Sequence, residues 1–397
     1  MLRSTDRIRT THVGSLPRTD ELIQANARRR DGKITDEEFR RTLSASVDDI
    51  VARQVEWGID TVNDGEYGHA MVDDIDYGAW WHYSFARTGG LETVDGASFR
   101  EILSEPGNGR YNSFAVRRDW NRFADFYRSI DLGNDPDGEF PIATGPLTYE
   151  GRDAVETDIA NLKSAVDQNG ASEAFVASLS PGSASRIGNR YYATDEEFIY
   201  AWADVLHEEY KAITDAGFIL QLDDPSIAEA WDQLVPEPSI DEYLSFNRLA
   251  IEAANHALRG IPEDQVRFHL CWGSWHGPHS TDIEIKHLIE SLFTINAGAY
   301  VFEAGNVRHA HEWKAWEDVA LPEGKIIVPG VVSHSTNVVE HPELVAQRIE
   351  QFASVVGREN VVAGTDCGLG GRLHPDIAEA KIRSLVEGAR IASDRLF

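Results

Sequence analysis

The side chains best suited to metal chemistry stand at the ends of apolar runs. The sequence has two cysteines, Cys271 and Cys367, and each follows such a run. His269 lies two residues before Cys271, and side chains at i and i+2 of an extended chain point to the same side. Together with Glu303 they offer one nitrogen, two sulfurs and one oxygen, which Zn²⁺ binds in tetrahedral geometry, whereas thiolates disfavour Mg²⁺ and Ca²⁺. These four residues are a candidate zinc site, and two inert buried cysteines with a core histidine are the alternative.

Carboxylates end three further apolar runs. Asp64 and Glu66 follow one run, Asp223 and Asp224 end a second, and Asp366 ends a third. If these runs are parallel strands of a barrel, their C-terminal ends meet at one mouth, where the active sites of that architecture lie. The sequence therefore predicts that these acids and the candidate zinc ligands face the same opening.

Eight apolar runs alternate with amphipathic helical segments. Continuous apolar runs are typical of strands buried on both faces of a parallel sheet. The helical segments carry start and stop signals, such as the capping box at 35–38 and the terminal Gly58 of the same segment. We therefore predict an α/β fold, a (β/α)8 TIM barrel. An open doubly wound sheet is the alternative, but the sequence has no glycine-rich phosphate loop to favour it. The predicted strand runs are 61–66, 142–146, 175–179, 219–224, 266–271, 300–303, 326–330 and 361–366.

Two segments fall outside this repeat. The run 10–15 is predicted to precede the barrel and to pack near its mouth. The stretch from about residue 80 to 138 is rich in Trp, Tyr, Phe and Arg, and it predicts an insertion after the first barrel strand. The first aromatic residues of this stretch either line a pocket for an apolar donor or pack the insertion; they are Trp80, Trp81, Tyr83 and Phe85.

The chain is strongly acidic. Its 397 residues carry 66 acidic and 37 basic side chains, a net charge of −29 that repels nucleic-acid phosphates and anionic lipid heads. No apolar stretch approaches the ~20 residues of a membrane span, and residues 1–7 have no apolar signal-peptide core. We therefore expect no nucleic-acid partner, no membrane partner and a cytoplasmic location. Two cysteines so far apart do not predict a disulfide scaffold.

A series of short motifs runs in order along nearly the whole chain. The motifs are Gly14-Ser15, Asp64-Gly65-Glu66, Thr144-Gly145-Pro146, Leu222-Asp223-Asp224-Pro225, His269-Leu270-Cys271, Phe302-Glu303-Ala304 and Asp366-Cys367-Gly368-Leu369. The series resembles the C-terminal catalytic domain of cobalamin-independent methionine synthase. Segments 271–279 and 341–344 are more similar to the stand-alone branch of that family, which includes epoxyalkane:coenzyme M transferases. The resemblance implies a transferase with one zinc-dependent barrel domain over residues 1–397, of the uroporphyrinogen decarboxylase/methionine synthase-like kind.

The resemblance also implies how the metal is used. In the family, zinc is held by residues that match His269, Cys271, Glu303 and Cys367. The metal binds the substrate thiol and lowers its pKa, so that a thiolate forms at neutral pH and attacks an electrophilic carbon. Two thiolates and one carboxylate around Zn²⁺ make the site net negative, which keeps the bound sulfur electron-rich.

Substrate-binding residues follow from the same resemblance. Gly14 and Ser15 match the backbone that holds the amino-acid substrate, and Glu66 and Asp223 match the acids that bind its ammonium group. The presence of both acids is consistent with homocysteine; alternatively, they cap strands or tie loops. His334 lies about one residue from the family histidine that assists proton transfer, and it is the candidate catalytic residue. A hydrogen-bonded loop histidine is the alternative.

The expected function is methyl transfer to homocysteine or a related thiol. The alternative is an epoxide-opening transferase that uses a thiol such as coenzyme M, for whose sulfonate Arg18 and Arg308 are available. A metal-free binding protein is a third hypothesis. Methionine synthase has a tryptophan that stacks on folate after its Thr-Gly-Pro motif, and segment 144–152 lacks it. The partners are thus a small-molecule thiol and an alkyl donor that the sequence does not identify, and a homo-oligomer is left open.

Overall fold

The computed structural model describes residues 1–69, 79–105, 117–130, 139–273 and 275–397. In these ranges, eight parallel strands form a nearly closed barrel, and three further strands form a separate sheet. The strands are β1 (Arg9–Thr10), β2 (Thr61–Val62), β3 (Thr88–Asp95), β4 (Glu139–Tyr149), β5 (Glu173–Leu179), β6 (Gly188–Asn189), β7 (Ile219–Asp223), β8 (Val266–Leu270), β9 (Ala299–Phe302), β10 (Ile326–Val332) and β11 (Val362–Thr365).

Helices follow most of the barrel strands. Those in the described ranges are α1 (Asp20–Arg30), α2 (Asp36–Trp57), α3 (Ala79–Ala86), α4 (Gly96–Ser104), α5 (Arg118–Arg122), α6 (Ala124–Ser129), α7 (Arg152–Asn169), α8 (Pro181–Ala184), α9 (Asp195–Asp215), α10 (Ser226–Gln233), α11 (Ile240–Ala257), α12 (Ile289–Leu292), α13 (Pro342–Val356) and α14 (Pro375–Leu396). Short 3-10 helices cover Glu263–Gln265, Ile285–His287, Glu312–Trp316 and Arg358–Asn360. None of the described helices is both long enough and apolar enough to span a membrane.

The barrel strands run in the order β1-β11-β10-β9-β8-β7-β5-β2, and all neighbouring pairs are parallel. The barrel closes between β1 and β2 through a few hydrogen bonds instead of a full ladder. Asp60 donates its backbone N–H to Thr10 O (3.1 Å), and its carboxylate accepts the N–H of Thr10 (2.9 Å). The hydroxyl of Thr11 donates to Thr61 O (3.0 Å). The predicted (β/α)8 barrel is therefore confirmed.

The identity of two strands differs from the prediction. The run 142–146 is not a barrel strand, because it lies in β4, which pairs antiparallel with β3 in the smaller sheet. Its place in the barrel is taken by β1, at the edge of the segment that we expected to precede the barrel. Periodicity alone does not distinguish a short apolar strand of the barrel from one of the smaller sheet. A strand of two residues, such as β1, is too short to show a pattern. The predicted insertion does follow β2, which is second in the barrel because β1 comes first.

Local signals place the helices as expected. Thr35 caps α2 through the N–H of Glu38 (3.2 Å), and the Glu38 carboxylate accepts the N–H of Thr35 (2.8 Å). The helix ends at Gly58, whose φ of 95° is the left-handed conformation that favours glycine. The apolar stripe of α2 faces the barrel; its buried members include Phe39, Leu43, Val47, Ile50 and Val51.

A buried arginine lies inside the barrel beneath the mouth. Arg267 of β8 donates to Thr11 Oγ1 (2.9 Å) and to His12 O (2.7 Å) across the barrel. Its guanidinium lies 3.4 Å from the ring centroid of Phe175. Side chains two apart on a strand share a face, so His269 points into the same interior, one step nearer the mouth. The strand thus delivers its histidine into the barrel opening.

The insertion contacts the loop that follows β8. The Asp119 carboxylate accepts hydrogen bonds from the backbone N–H (3.0 Å) and the hydroxyl (2.8 Å) of Ser280. The indole N–H of Trp275 donates to the Tyr127 hydroxyl (2.9 Å). Residues 117–130 therefore cover part of the segment that comes directly after Cys271.

Candidate metal and substrate site

Three predicted ligands converge at the mouth of the barrel. The donor atoms of His269, Cys271 and Cys367 all lie within 4.8 Å of one another, and all three side chains are buried. Cys271 directly follows β8, and Cys367 lies two residues after β11. The two Sγ atoms are 3.8 Å apart, well beyond a disulfide bond of about 2.05 Å.

The histidine of this group has one nitrogen available. His269 Nδ1 lies 2.8 Å from Asp223 Oδ1, whereas its buried Nε2 has no hydrogen-bond partner. Metal-binding histidines characteristically use one nitrogen for a carboxylate and the other for the metal. An unpartnered buried nitrogen beside two thiols fits a thiophilic cation such as Zn²⁺. Asp223 was predicted to bind substrate, and no sequence pattern indicated its contact with His269.

Glu303 belongs to a neighbouring group of donors. This group also contains His334 and Asp366, and the donor atoms of the three buried side chains lie within 4.8 Å of one another. Glu303 Oε1 accepts the backbone N–H of Trp272 (3.0 Å), and Oε2 accepts the side-chain amide of Asn306 (2.8 Å). Burial raises the pKa of Glu303 to about 7. Glu303 thus follows β9 as expected, with its orientation set by two hydrogen-bond donors.

Asn306 and Asp366 support this carboxylate. Asp366 Oδ1 accepts the N–H groups of Ala304 (2.8 Å) and Gly305 (2.6 Å). Asn306 Nδ2, which already donates to Glu303, lies 3.2 Å from Asp366 Oδ2. Sequence reasoning missed Asn306, although its place three residues after a candidate ligand is where a supporting amide is useful.

His334, the candidate proton-transfer residue, lies close to Glu303. Its ring is buried, and Nδ1 has no hydrogen-bond partner. Burial, followed by the charge of Arg372, lowers the pKa of His334 well below its usual range. Desolvation of the ring therefore favours its neutral form.

The predicted substrate-binding residues Gly14 and Ser15 lie beside the loop that carries Cys367. Gly14 has a φ of 133°, and a Cβ at this position would collide with Glu66 Oε1. The carbonyl oxygen of Ser15 accepts the N–H groups of Leu369 (2.8 Å) and Gly370 (3.0 Å), just beyond Cys367. The segment after β1 is therefore hydrogen-bonded to the loop after β11.

Glu66 is held in an unfavourable backbone conformation. Its φ of 59° is rare for residues other than glycine and costs about 1–3 kcal/mol. Burial and the nearby charge of Asp223 raise the pKa of the Glu66 carboxyl well above its usual range. The unpartnered Nδ1 of His69 lies 3.9 Å from Glu66 Oε2. The carboxylates of the buried Glu66 and the half-buried Asp223 act on each other as like charges, which favours a ligand that brings positive charge.

The remaining candidates have other partners. Arg18 Nη2 contacts the carbonyl oxygens of Glu66 (2.5 Å) and His69 (2.8 Å), and Arg308 Nη2 contacts Ser280 O (3.3 Å). The Tyr83 hydroxyl accepts the backbone N–H of Leu179 (2.8 Å). The arginines thus support loops, and the tyrosine packs the insertion on the barrel. Phe85 also packs there, against Trp202, whereas the side chains of Trp80 and Trp81 lie outside the described residues.

The family profile described as "Cobalamin-independent synthase, Catalytic domain" matches residues 8–78 and 189–391. These segments contain all four candidate zinc ligands as well as Gly14, Glu66 and Asp223. The chain belongs to the cobalamin-independent methionine synthase family. The part of the chain that the family profile leaves unmatched, 79–188, includes the insertion and the β3–β4 pair.

Relatives in this family cover nearly all of the chain. The 5-methyltetrahydropteroyltriglutamate–homocysteine methyltransferase of Thermotoga petrophila is 24% identical over 387 residues, which are 96% of this chain and 44% of the relative. The chain thus spans less than half of that enzyme. The YxjH protein of Bacillus subtilis is 23% identical over 409 residues and is covered over 94% of its length.

Solved structures of family members share the fold. The B12-independent methionine synthase of Shewanella sp. W3-18-1, solved with selenomethionine, matches with a TM-score of 0.69 at 19% identity over 98% of this chain and 99% of that chain. A putative vitamin-B12-independent methionine synthase from Listeria monocytogenes matches with a TM-score of 0.66 at 19% identity over 97% of this chain and 98% of that chain. At these identities the likeness establishes the barrel architecture alone.

Proposed function

We propose that this chain is a zinc-dependent alkyltransferase that methylates the sulfur of homocysteine or a related aminothiol. The observation that carries the proposal is one barrel mouth with two kinds of binding group. The unpartnered His269 Nε2 and the sulfur atoms of Cys271 and Cys367 suit a thiophilic metal, and the carboxylates of Glu66 and Asp223 suit a cation. An aminothiol satisfies both, because its sulfur is a metal ligand and its ammonium group is a partner for carboxylates.

The proposed metal ligands are His269, Cys271, Glu303 and Cys367. Bound zinc would supply the Lewis acidity that ionises a thiol at neutral pH. The chain's own contribution is orientation: Asp223 fixes the ring of His269, and Asn306 fixes Glu303. Buried ligands with satisfied outer partners are preorganised, so that little rearrangement is needed on binding.

The proposed substrate groove runs over Gly14 and Ser15. Glu66 and Asp223 would bind the ammonium group, and the missing side chain of Gly14 leaves the Glu66 carboxylate room to reach it. The unpartnered Asn63 Nδ2 lies 3.3 Å from where a Gly14 Cβ would stand, so it is available to an acceptor such as the substrate carboxylate. Because the carboxylates of Glu66 and Asp223 would repel a sulfonate, the proposed groove favours an aminothiol over a sulfonate thiol.

His334 is the proposed proton-transfer residue. It lies within reach of Glu303 and has an unpartnered ring nitrogen. A neutral imidazole can accept a proton, for example from the incoming thiol, before it returns one to a leaving group. The identity of the alkyl donor does not enter this assignment.

Metal analysis tests the proposal as a whole. We expect about one zinc per chain in protein prepared without chelators. X-ray absorption at the zinc edge should then show an added sulfur neighbour when homocysteine is supplied, but not when coenzyme M is supplied. Absence of zinc would overturn the proposed chemistry, and a response to coenzyme M alone would overturn the proposed substrate.

Replacing Glu66 with glutamine should weaken homocysteine selectively. Hydrogen bonds to charged groups contribute about 1.5–3 kcal/mol, so KM should rise roughly 10- to 100-fold. Binding of 4-mercaptobutanoate, which lacks the amino group, should change little. The exposed Glu56 offers a matched control, since Glu56→Gln makes the same chemical change far from the mouth. An unchanged KM for homocysteine in Glu66→Gln would show that Glu66 does not bind the ammonium group.

A further inference from the structure

Four side chains outside the proposed ligand set form a continuous chain, of which His309 and Glu312 are buried and His279 is partly exposed. His309 Nδ1 lies 2.8 Å from Glu312 Oε2, and His309 Nε2 lies 3.2 Å from Asp282 Oδ2. The same carboxylate of Asp282 lies 3.1 Å from His279 Nδ1, and His279 Nε2 lies 3.0 Å from the carbonyl oxygen of Trp275. The chain therefore links the loop after β8 to the loop after β9.

This geometry favours a charged form of both histidines. Each ring nitrogen of His309 faces a carboxylate oxygen, and each ring nitrogen of His279 faces a carboxylate or a carbonyl oxygen. A carbonyl oxygen or an ionised carboxylate only accepts hydrogen bonds, so each ring nitrogen is in the position of a donor. A neutral imidazole has one N–H and would place a lone pair against an acceptor, whereas an imidazolium ion satisfies both contacts.

The surroundings support this assignment. Burial works against a charged His309, but its hydrogen bonds to Asp282 and Glu312 outweigh burial and raise its pKa to about 10. Glu303 adds a third negative charge on that side, and it also faces His279. Burial alone would raise the pKa of Asp282, but the two histidines beside it hold that pKa below its usual range.

The charged chain also holds a strained residue. His279 has a φ of 51°, a left-handed conformation that costs about 1–3 kcal/mol for a residue with a Cβ. Such strain persists only where the surroundings fix the residue firmly. Its ring stacks on Trp275 with centroids 3.8 Å apart, and both of its nitrogens are bound. The loop between β8 and the 3-10 helix Ile285–His287 is thus held by the contacts of His279 with Asp282 and with Trp275.

The ring of His309 packs against Trp272, whose backbone N–H is bonded to a proposed ligand. Its centroid lies 4.2 Å from the Trp272 ring, and the Trp272 indole N–H donates to Ile283 O (2.7 Å). The backbone N–H of Trp272 donates to Glu303 Oε1 (3.0 Å), and that of Gly273 donates to Cys271 Sγ (3.3 Å). The placement of one indole therefore sets two hydrogen bonds to two proposed ligand atoms.

We propose that His309 is a positioning residue: clamped as an imidazolium between Asp282 and Glu312, it fixes Trp272 and so aims two backbone N–H groups at Glu303 and Cys271. The expected effect on Zn²⁺ affinity rests on the proposed function. The charge of His309 and the position of the loop after β8 do not. His309 acts through Trp272 and takes no part in the reaction itself.

Nuclear magnetic resonance of the zinc-loaded wild type, labelled with ¹⁵N-histidine, tests the charge. We expect the His309 and His279 signals to show both ring nitrogens protonated at pH 8, where an ordinary histidine is neutral. Signals are assigned by single substitution of each ring. A neutral His309 at pH 8 would overturn the proposal, whether or not the protein transfers methyl groups.

His309→Phe tests the positioning, because it keeps a ring against Trp272 but removes both N–H groups. We expect the Trp272 and Gly273 amides to exchange hydrogen about tenfold faster or more, and the dissociation constant for Zn²⁺ to rise roughly 10- to 100-fold. His256→Gln is the control, since His256 lies in the last turn of α11, bonds to Asp204 and belongs to no part of this chain of side chains, so its loss should change neither quantity.

Glu312→Gln removes the negative charge at nearly constant shape and serves if the phenylalanine variant does not fold. It should move both quantities in the same direction and shift the His309 signal towards the neutral form. Unchanged amide exchange in a folded His309→Phe or Glu312→Gln protein would overturn the positioning role. If amide exchange responds and wild-type protein binds no Zn²⁺, the positioning role stands and the proposed function fails.

Discussion

Replacing Cys271 or Cys367 with serine should remove the metal and reduce turnover to below about 1% of wild type. A serine hydroxyl stays protonated near neutral pH and is a poor ligand for a thiophilic cation. Loss of an outer-shell partner already costs about 10- to 100-fold in metal affinity or activity, and loss of a ligand should exceed this. Zinc content by elemental analysis and methyl transfer to homocysteine are the measurements.

The control for the cysteine variants is Asp224→Asn. Asp224 also ends a barrel strand and is fully buried, but its carboxylate accepts hydrogen bonds from Ser183 and Ser226 and belongs to neither donor group at the mouth. This variant should keep its zinc. Circular dichroism should show an intact barrel in all three proteins. A Cys367→Ser protein that is metal-free and fully active would refute the proposed mechanism.

Replacing Gly14 with alanine should weaken homocysteine binding roughly 10- to 100-fold while zinc content stays at the wild-type level. Two effects combine, because a Cβ at φ 133° strains the backbone by about 1–3 kcal/mol and the methyl group collides with Glu66 Oε1. The Glu66 carboxylate then has to leave the position from which it would reach the ammonium group. Steady-state KM for homocysteine and zinc content are the measurements.

Gly217→Ala is the matched control for that substitution. Gly217 has a φ of 89° beyond the end of α9, and a Cβ there would meet no atom within 4 Å. Its alanine variant should lower the melting temperature through backbone strain without changing KM. Equal effects of the two variants on KM would mean that general destabilisation, and not the groove at Gly14, explains the loss.

The strands that carry the proposed ligands were predictable because buried parallel strands leave long apolar runs. Those of β8, β9 and β11 place His269, Glu303 and Cys367 where expected. By contrast, β1 contributes only two residues to the barrel, so no periodic pattern indicates it. The barrel closes between β1 and β2 through hydrogen bonds of Asp60. The run 142–146 had the pattern of a barrel strand but pairs antiparallel in another sheet, since short apolar runs do not encode their partners.

The candidate site was predictable in its reactive atoms but not in its supporting contacts. The contact between Asp223 and His269 joins adjacent strands, and the contact of His309 with Trp272 joins the loop after β9 to the loop after β8. Such pairs depend on register and loop path, which a single sequence does not specify. The four-residue zinc ligand set, the proton-transfer role of His334, the single-domain boundary at 1–397 and the cytoplasmic location stay predictions.

The pairing of β1 with β11 constrains when the site can form during biosynthesis. Arg9 and Thr10 lie beside Val362 and Ala363, so β1 can pair in the barrel only after β11 has been synthesised. Cys367 follows Gly14 by about 350 residues along the chain. The proposed ligand set is therefore completed late in elongation, and a prematurely terminated chain that lacks β11 would carry the proposed groove residues without it.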